Sequence, residues 1–330
     1  MHYINKDRWK ELSRQNLEKT FSLLNKAEEH ICSSPESMKE FLRYAENLPQ
    51  FSLRNTALLF EQRPQGRFFL EAGEFENAGY TVNPGETGNK IFLSFEENGK
   101  LIYRLGTVFD LTQTDIPQSD YENFLAPEAD YSPEEIASGL SDYAKSLHIS
   151  VESADLPDGN PGFFQQDHEK DFHQGKIILS TTLDPTTKAS EMARSFAHAL
   201  LTMDQTKSDI AEVYEFQADT LSLLMCSTFG MDSPSLSYSQ MHQHWQAASQ
   251  KSGSRFFELA APAFITFRAH RSDLENEIDQ QKELQAAREN ARTNESAAQR
   301  NYRMDQIQQM HAGPEVEHKK GRAIERDMEH

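Results

Sequence analysis

The stretch ASEMARSFAHALLTMD, residues Ala189–Asp204, carries apolar residues at helical spacing, and its centre, residues 194–198, reads RSFAH. Two substitutions would turn these five residues into HExxH, in which histidines four positions apart share one zinc ion on one helix face. The glutamate of that pattern serves as general base for the zinc-bound water. This helix is therefore either a metal site with parts missing or an ordinary helix with a lone, buried histidine.

The side chains of this helix argue against zinc chemistry. Arg194 stands at the first ligand position, Ser195 stands at the general-base position, and only His198 remains. A guanidinium brings a fixed positive charge and has no lone pair to donate to a metal, and a serine hydroxyl is a poor base near neutral pH. We therefore expect no catalytic residue, no bound metal and no cofactor, which makes the chain a pseudo-metallopeptidase.

The following helix supplies more of the pattern. Glu215-Phe216-Gln217-Ala218-Asp219 begins 17 residues after His198, where a gluzincin-like fold places its third, carboxylate ligand. The predicted vestigial site is therefore His198, Glu215 and Asp219, with Arg194 and Ser195 at the lost positions. One hypothesis is that the Arg194 guanidinium replaces the metal and pairs with one of these carboxylates.

Four other histidines bear on the alternative that the chain is an active zinc metallopeptidase. His168 and His173 lie in a long turn-rich loop, and either one is a candidate substitute ligand beside the vestigial three. His242 and His244 flank one residue on a helix, so they point to different faces. Loop histidines are usually solvated, and we expect zinc only if this alternative holds.

The rest of the chain reads as an α+β protein in three parts. Helices are predicted over 3–30, after Ser34-Pro35 and over 52–62, followed by strands at 91–95 and 101–105 around an Asn98-Gly99 hairpin and a further strand at 108–111. A helix from 133 to 147, strands ISVESA and GKIILSTTL, and helices over 186–203 and 209–229 follow. The predicted domains are 1–125, 126–270 and a charged helical or disordered tail, 271–330.

Several collinear motifs resemble the ArdC and LtrC type proteins of plasmids and conjugative elements. They are FSLRNTALLFEQRPQGRFF, FENAGYTVNPGETGNKIFL, VFDLTQT and the two-helix pattern above, and together they cover about residues 5–270. The resemblance implies an N-terminal domain that binds single-stranded DNA and a zincin-like C-terminal domain, here with a degenerate HExxH. It also implies a role in anti-restriction.

The resemblance and the charges select candidate DNA-binding residues in the first domain. Single strands bind where cations line a groove and aromatic rings stack on bases. Asn55 and Gln62 lie seven positions apart on one helix face, where they either contact phosphates or cap local backbone. The full candidate set is Arg54, Asn55, Gln62, Arg63, Arg67, Phe75 and Lys90.

Composition limits the partners. The net charge is −19, spread along the chain, so DNA binding is expected to be weak because nucleic-acid affinity comes mostly from phosphate neutralisation. No apolar run is long enough for a membrane span, no secretion signal is visible, and two distant cysteines fit a cytoplasmic protein. The expected function is a non-catalytic accessory protein of a mobile genetic element that binds single-stranded DNA, a protein partner or both. A third hypothesis is an interaction module that acts through the C-terminal helix.

Overall fold

The computed structural model combines helices with two small sheets, which confirms the α+β class. It describes residues 6–311, apart from 98–99, 126–129, 158, 168–174, 207, 232 and 234–235. The Asn98-Gly99 turn, the loop histidines His168 and His173, and the end of the predicted tail from residue 312 onward lie outside the described residues.

Three helices open the chain close to their predicted bounds. They are α1 (Lys6–Ile31), α2 (Pro35–Glu46) and α3 (Leu53–Gln62). The Ser34 side chain accepts a hydrogen bond from the backbone N–H of Ser37, and Pro35 occupies the first turn. This start follows from the sequence. A serine side chain accepts a hydrogen bond from a backbone N–H of the first turn that has no partner within the helix. Proline suits the first helical position because the N–H it lacks would have no partner there.

The first sheet is antiparallel, with strand order β1-β3-β2. Its strands are β1 (Phe69–Leu70), β2 (Asn89–Glu97) and β3 (Lys100–Asp110), and a short helix, α4 (Ala72–Asn77), follows β1. The separate strand predicted at 108–111 is wrong: residues 108–110 continue β3, where Val108 pairs with Asn89 and Phe109 with Leu70, and Leu111 begins a 3-10 turn. The polar and glycine residues between 105 and 108 interrupt the apolar pattern without interrupting the ladder.

Helix α3 closes the free edge of β2 through two side-chain amides. Asn55 donates from Nδ2 to the Phe92 carbonyl (2.8 Å) and accepts the Phe92 N–H at Oδ1 (2.9 Å). Gln62 makes the same pair of hydrogen bonds with the Lys90 backbone, at 2.9 and 2.8 Å. The backbone N–H and C=O groups of residues 90 and 92 point away from β3, because the residues of an antiparallel strand bond alternately to one neighbour and to the other side. The two amides therefore satisfy backbone groups of β2 that a neighbouring strand would otherwise pair with.

The second half begins with α5 (Pro133–Ser146) and a mixed sheet of order β4-β6-β5. Strands β4 (Ile149–Ala154) and β6 (Gly175–Ser180) are parallel, and β5 (Gly162–Gln166) runs antiparallel to β6. The loop predicted before β6 therefore contains a strand. This strand has only five residues and lies between turn residues, so its apolar spacing was too short to predict a strand.

Four helices complete the described chain: α6 (Pro185–Met203), α7 (Ala211–Thr228), α8 (Tyr238–Ser252) and α9 (Phe256–His311). Asp184 caps α6 by accepting the Thr187 N–H. Helix α9 runs through residue 271, where the tail was predicted to start. No helix in the described part of the chain combines the length and apolar character needed to cross a bilayer.

The chain divides into a compact unit, residues 1–281, and a second unit, 282–330, whose described part is the end of α9. Within the first unit one hydrophobic cluster draws on α1 to α3, both sheets and α5 to α9, and its fully buried rings include Phe41, Phe196, Phe216 and Phe256. A smaller cluster lies around Phe75. The domain boundary at 125 and the role of the tail as a partner helix stay predictions.

We expect Asn55→Ala to destabilise the fold by about 1–3 kcal/mol because it strands a backbone donor and acceptor of β2. Urea unfolding followed by circular dichroism measures the difference. The matched control is Arg54→Ala, an exposed neighbour on α3, which should change stability by less than about 0.5 kcal/mol. Equal unfolding midpoints for the two variants would contradict a role of the amide in holding the edge.

Candidate functional site

Two adjacent helices bring the predicted vestigial residues together. Arg194 and His198 lie four positions apart on α6, and Glu215 and Asp219 lie four positions apart on α7, so each pair shares one helix face. Most of the remaining surface of α6 is buried against the core, which leaves these polar side chains at the contact with α7. The geometry thus unites the residues that the sequence pattern selected.

The Arg194 guanidinium sits between the two carboxylates. Its Nη2 lies 3.7 Å from Glu215 Oε2, and its Nε lies 4.0 Å from Asp219 Oδ1. These are ion-pair separations and exceed hydrogen-bond lengths. Arg194 therefore pairs with these carboxylates, and the hypothesis that its guanidinium replaces a metal stays a prediction. His198 Nε2 also faces Glu215, at 3.8 Å from Oε2.

Asp219 is the most deeply buried charge of the group, with 0% of its surface exposed. Its Oδ2 forms a short hydrogen bond with Nδ1 of His244, which reaches in from α8. This hydrogen bond raises the pKa of His244 and so favours its charged form. Sequence reasoning weighed His244 only as half of a histidine pair. Nothing in the spacing placed α8 against α7.

His198 is held as a neutral ring. Burial lowers its pKa, and Glu215 only partly opposes this effect. The Tyr214 hydroxyl donates to the His198 carbonyl oxygen (3.0 Å), and the two rings meet edge to face with centroids 5.0 Å apart. The helix that would present a zinc ligand therefore presents a packed imidazole beside a carboxylate.

Ser195 points away from this cluster. Its hydroxyl donates to Glu191 Oε1 at 3.4 Å, one turn earlier on α6. Glu191 is buried, and burial raises its pKa to about 7, against the smaller opposing effects of Arg194 and Ser195. The position that would hold the catalytic base of HExxH thus engages a buried carboxyl.

These residues do not fit a divalent metal. A fixed cation lies within 4.0 Å of both candidate carboxylates, so a dication at the same place would meet direct repulsion. Among the residues that the structure describes, no group of three or more histidine, cysteine or acidic side chains is arranged to hold an ion. His242 turns elsewhere: its Nε2 contacts the Cys32 carbonyl oxygen at 3.0 Å.

Several of the predicted DNA-binding residues have structural roles in or beside the first sheet. Asn55 and Gln62 hold the β2 edge. Phe75 is 0% exposed in the smaller core cluster, which leaves no ring face for a base. The Arg63 side chain donates to Thr112 Oγ1 (2.8 Å) and lies 3.6 Å from buried Asp110. A nucleic-acid role for Asn55 or Phe75 would require the fold to open, whereas Gln62 and Arg63 are only partly buried and stay candidates.

Three candidates remain on the surface: Arg54, Arg67 and Lys90. Lys90 Nζ donates to Thr107 Oγ1 on the neighbouring strand (2.6 Å). Sequence reasoning overlooked exposed aromatic rings on the same hairpin, Phe95 at 45% and Tyr103 at 42% exposure. The Arg104 guanidinium lies over the Phe95 ring, 5.4 Å from its centroid. The apolar runs at 91–93 and 101–103 do not alternate with polar residues, so no clear signal in the sequence indicated which rings face solvent.

No protein family model matches the chain. An uncharacterized protein of Bacillus anthracis, pXO2-81, is 24% identical over 332 residues, covering 84% of this chain and 55% of the relative. This chain thus spans about half the length of that relative. Two solved structures of the antirestriction protein ArdC from the R388 plasmid, one metal-free and one Mn(II)-bound, match with TM-scores of 0.43 and 0.45. They are 17% and 15% identical and cover 68% of this chain and 85% and 84% of ArdC. Likeness at this level assigns no function.

We expect the stability of the protein to fall as pH rises from about 4.5 to 7, by up to about 3 kcal/mol from Glu191 alone. The folded state keeps the Glu191 proton until about pH 7, whereas the unfolded chain releases it near 4.5. Folding thus binds a proton in this window, and its contribution is lost as pH rises. Denaturant unfolding at pH 4.5, 6 and 8 measures the effect.

Glu191→Gln should remove this loss of stability, so the free energy of unfolding of the variant should rise relative to that of the wild type as pH increases. Glu152→Gln, an exposed change on β4, is the control and should follow the wild-type profile. Parallel pH profiles for wild type and Glu191→Gln would show that the Glu191 carboxyl ionises normally.

Proposed function

We propose that this chain is a non-catalytic binding protein whose metallopeptidase-like site is closed by an arginine. The observation that carries the proposal is the Arg194 guanidinium, 3.7 Å from Glu215 and 4.0 Å from Asp219. A buried carboxylate needs a compensating charge, and an arginine supplies it permanently where a metal would supply it only when bound. The scaffold therefore keeps its packing without an ion.

The reaction that such a scaffold supports elsewhere also lacks its base. Hydrolysis at a zinc site needs a Lewis acid and a group that removes a proton from water. Arg194 takes the place of the first, and the Ser195 hydroxyl donates a hydrogen bond to Glu191 Oε1 instead of acting as a base. Both requirements fail at adjacent residues of one helix, which supports a pseudoenzyme.

The accessory role comes from the resemblance of the collinear motifs to ArdC and LtrC type proteins. On that resemblance the chain acts for a mobile genetic element, with anti-restriction as its purpose. A protein that catalyses no reaction acts by binding a partner. Single-stranded DNA and a protein are the two partners considered.

We expect purified wild-type protein to hold far less than one zinc per chain, and Arg194→His with Ser195→Glu to hold about one. The double variant restores the second imidazole and the base on the same helix face. Mass spectrometry of metals after a chelator wash and zinc loading gives the stoichiometry. Arg194→Lys with Ser195→Ala is the control, because it alters both positions without adding a ligand.

Stoichiometric zinc in the wild type would overturn the closed-site proposal and favour the active metallopeptidase. The same outcome would direct attention to a ligand from the loop that contains His168 and His173. A double variant that folds but binds no zinc would show that the His198 and Glu215 geometry does not descend from a metal site.

Single-stranded DNA is favoured as a partner by one specific observation, the exposed aromatic and cationic side chains of the β2–β3 hairpin. Phe95 and Arg104 lie on one face of the hairpin, and Tyr103 and Lys90 lie on the other, so each face offers one ring and one cation. Stacking tolerates any base, and cations neutralise phosphate. The acidic surface of the whole chain confines such binding to this local patch.

We expect Tyr103→Ala to weaken binding of a labelled single strand by about 1–3 kcal/mol and leave duplex binding unchanged. Fluorescence anisotropy at two salt concentrations measures both the affinity and its salt dependence. Leu284→Ala removes an equally exposed apolar side chain far along α9 and serves as the control. Binding that is absent at low salt, or that both variants retain in full, would leave a protein as the partner.

A further inference from the structure

A cavity of about 570 Å³ lies between α2, the end of α7 and the start of α8. Helix α2 contributes Lys39, Arg43 and Glu46 to its wall, and Ser227 and Tyr238 face them. Neither Arg194 nor either carboxylate near it lines this space. The volume is within the range of small-molecule sites.

Two cations, Lys39 and Arg43, line the cavity. Neither lies within ion-pair distance of a carboxylate that the structure describes, although Glu46 in the same wall interacts electrostatically with Arg43. Lys39 Nζ lies over the Tyr238 ring, 5.6 Å from its centroid. The two cations give this end of the cavity a positive charge. Their combined charge matches a phosphate monoester, which carries close to two negative charges at neutral pH.

The start of α8 reinforces this preference for an anion. Ser237 caps the helix and Tyr238 is its first residue, and both line the cavity. The Ser237 hydroxyl accepts the Gln240 N–H. Backbone N–H groups of a first helical turn carry partial positive charge. This end of α8 therefore adds to the positive electrostatic potential of Lys39 and Arg43.

Glu46 gives the cavity a second polar end. Its Oε2 is buried without a hydrogen-bond partner among the described residues. Burial raises the pKa of this carboxyl, and Ser227 and nearby arginines oppose the effect only in part. An unpartnered buried oxygen is costly unless a donor reaches it. The cavity can accommodate that donor as part of a ligand.

Helix geometry sets the length of such a ligand. Lys39 and Glu46 are seven residues apart on α2, which corresponds to about 10 Å along the helix axis. Inorganic phosphate is too short to reach both ends, and a free amino acid spans only Arg43 and Glu46, which are about 4.5 Å apart along the axis. A mononucleotide spans this length, with an anion at one end and N–H donors on a ring at the other.

We propose that this cavity binds a nucleoside monophosphate, with its phosphate on Lys39 and Arg43 and a donor of its base on Glu46. Base recognition by one carboxyl oxygen requires an amino or imino N–H. The ligand class is therefore a nucleotide whose base carries such a group. This site is independent of the closed cluster on α6 and α7.

Isothermal titration of the full chain with GMP and AMP tests the proposal, with inorganic phosphate and guanosine as the two half-ligands. Each half-ligand should bind at least about tenfold more weakly than the better nucleotide. Purine riboside 5′-monophosphate, which lacks the amino group, should also lose about tenfold. No nucleotide binding at millimolar concentration, or equal binding of phosphate alone, would overturn the proposal.

Variants assign the two ends. Arg43→Gln should weaken nucleotide binding by about tenfold or more, while Arg14→Gln, an exposed arginine of α1, should leave it unchanged. Glu46→Gln should reduce the advantage of GMP over purine riboside monophosphate and leave phosphate binding intact. Arg194→His with Ser195→Glu should bind nucleotide as the wild type does, so failure here and failure of the closed-site proposal are separable. Unchanged binding in Arg43→Gln would place the nucleotide elsewhere.

Discussion

A buried carboxylate, Asp219, is the constraint around which the second half of the chain is arranged. Its surface is wholly buried, and its charge is met by Arg194 from α6 and by His244 from α8. Removing one member of a buried ion pair costs several kcal/mol because the other charge is left uncompensated. Three helices are thus tied at one point in addition to their apolar packing. The same arrangement explains why an arginine, with its permanent charge, suits position 194 better than a group that can lose its proton.

The arginine also divides two tasks that metal enzymes combine. In such enzymes one ion both holds the protein ligands together and activates the substrate. In the proposed closed site Arg194 would perform the first task, and the Ser195 hydroxyl, hydrogen-bonded to Glu191, would leave the second without a base. On that proposal, binding falls to other surfaces of the molecule. The hairpin with exposed Phe95 and Tyr103 and the cavity beside α2 are two surfaces with a chemistry of their own.

Local patterns predicted the helices well because their signals are local. The Ser34-Pro35 start, the stop after Gln62 and the long apolar helix α6 follow from capping residues and from apolar spacing. The meeting of Arg194 with Glu215 was also foreseeable, since two helical pairs four residues apart were in view. The structural roles of Asn55 and Gln62 were not, because they depend on which strand edge α3 meets. Strand β5 and the approach of His244 escaped for the same reason: both are settled by tertiary contacts.

The amide pairing between α3 and β2 has a further consequence for how the protein behaves in a crowded solution. An unprotected outer strand is a template on which another chain can add, and such addition leads to aggregation or to strand exchange. Asn55 and Gln62 occupy the very backbone groups that an incoming strand would need at Phe92 and Lys90. The helix therefore protects the sheet from self-association, and any partner of this region must dock through side chains and not extend the sheet there.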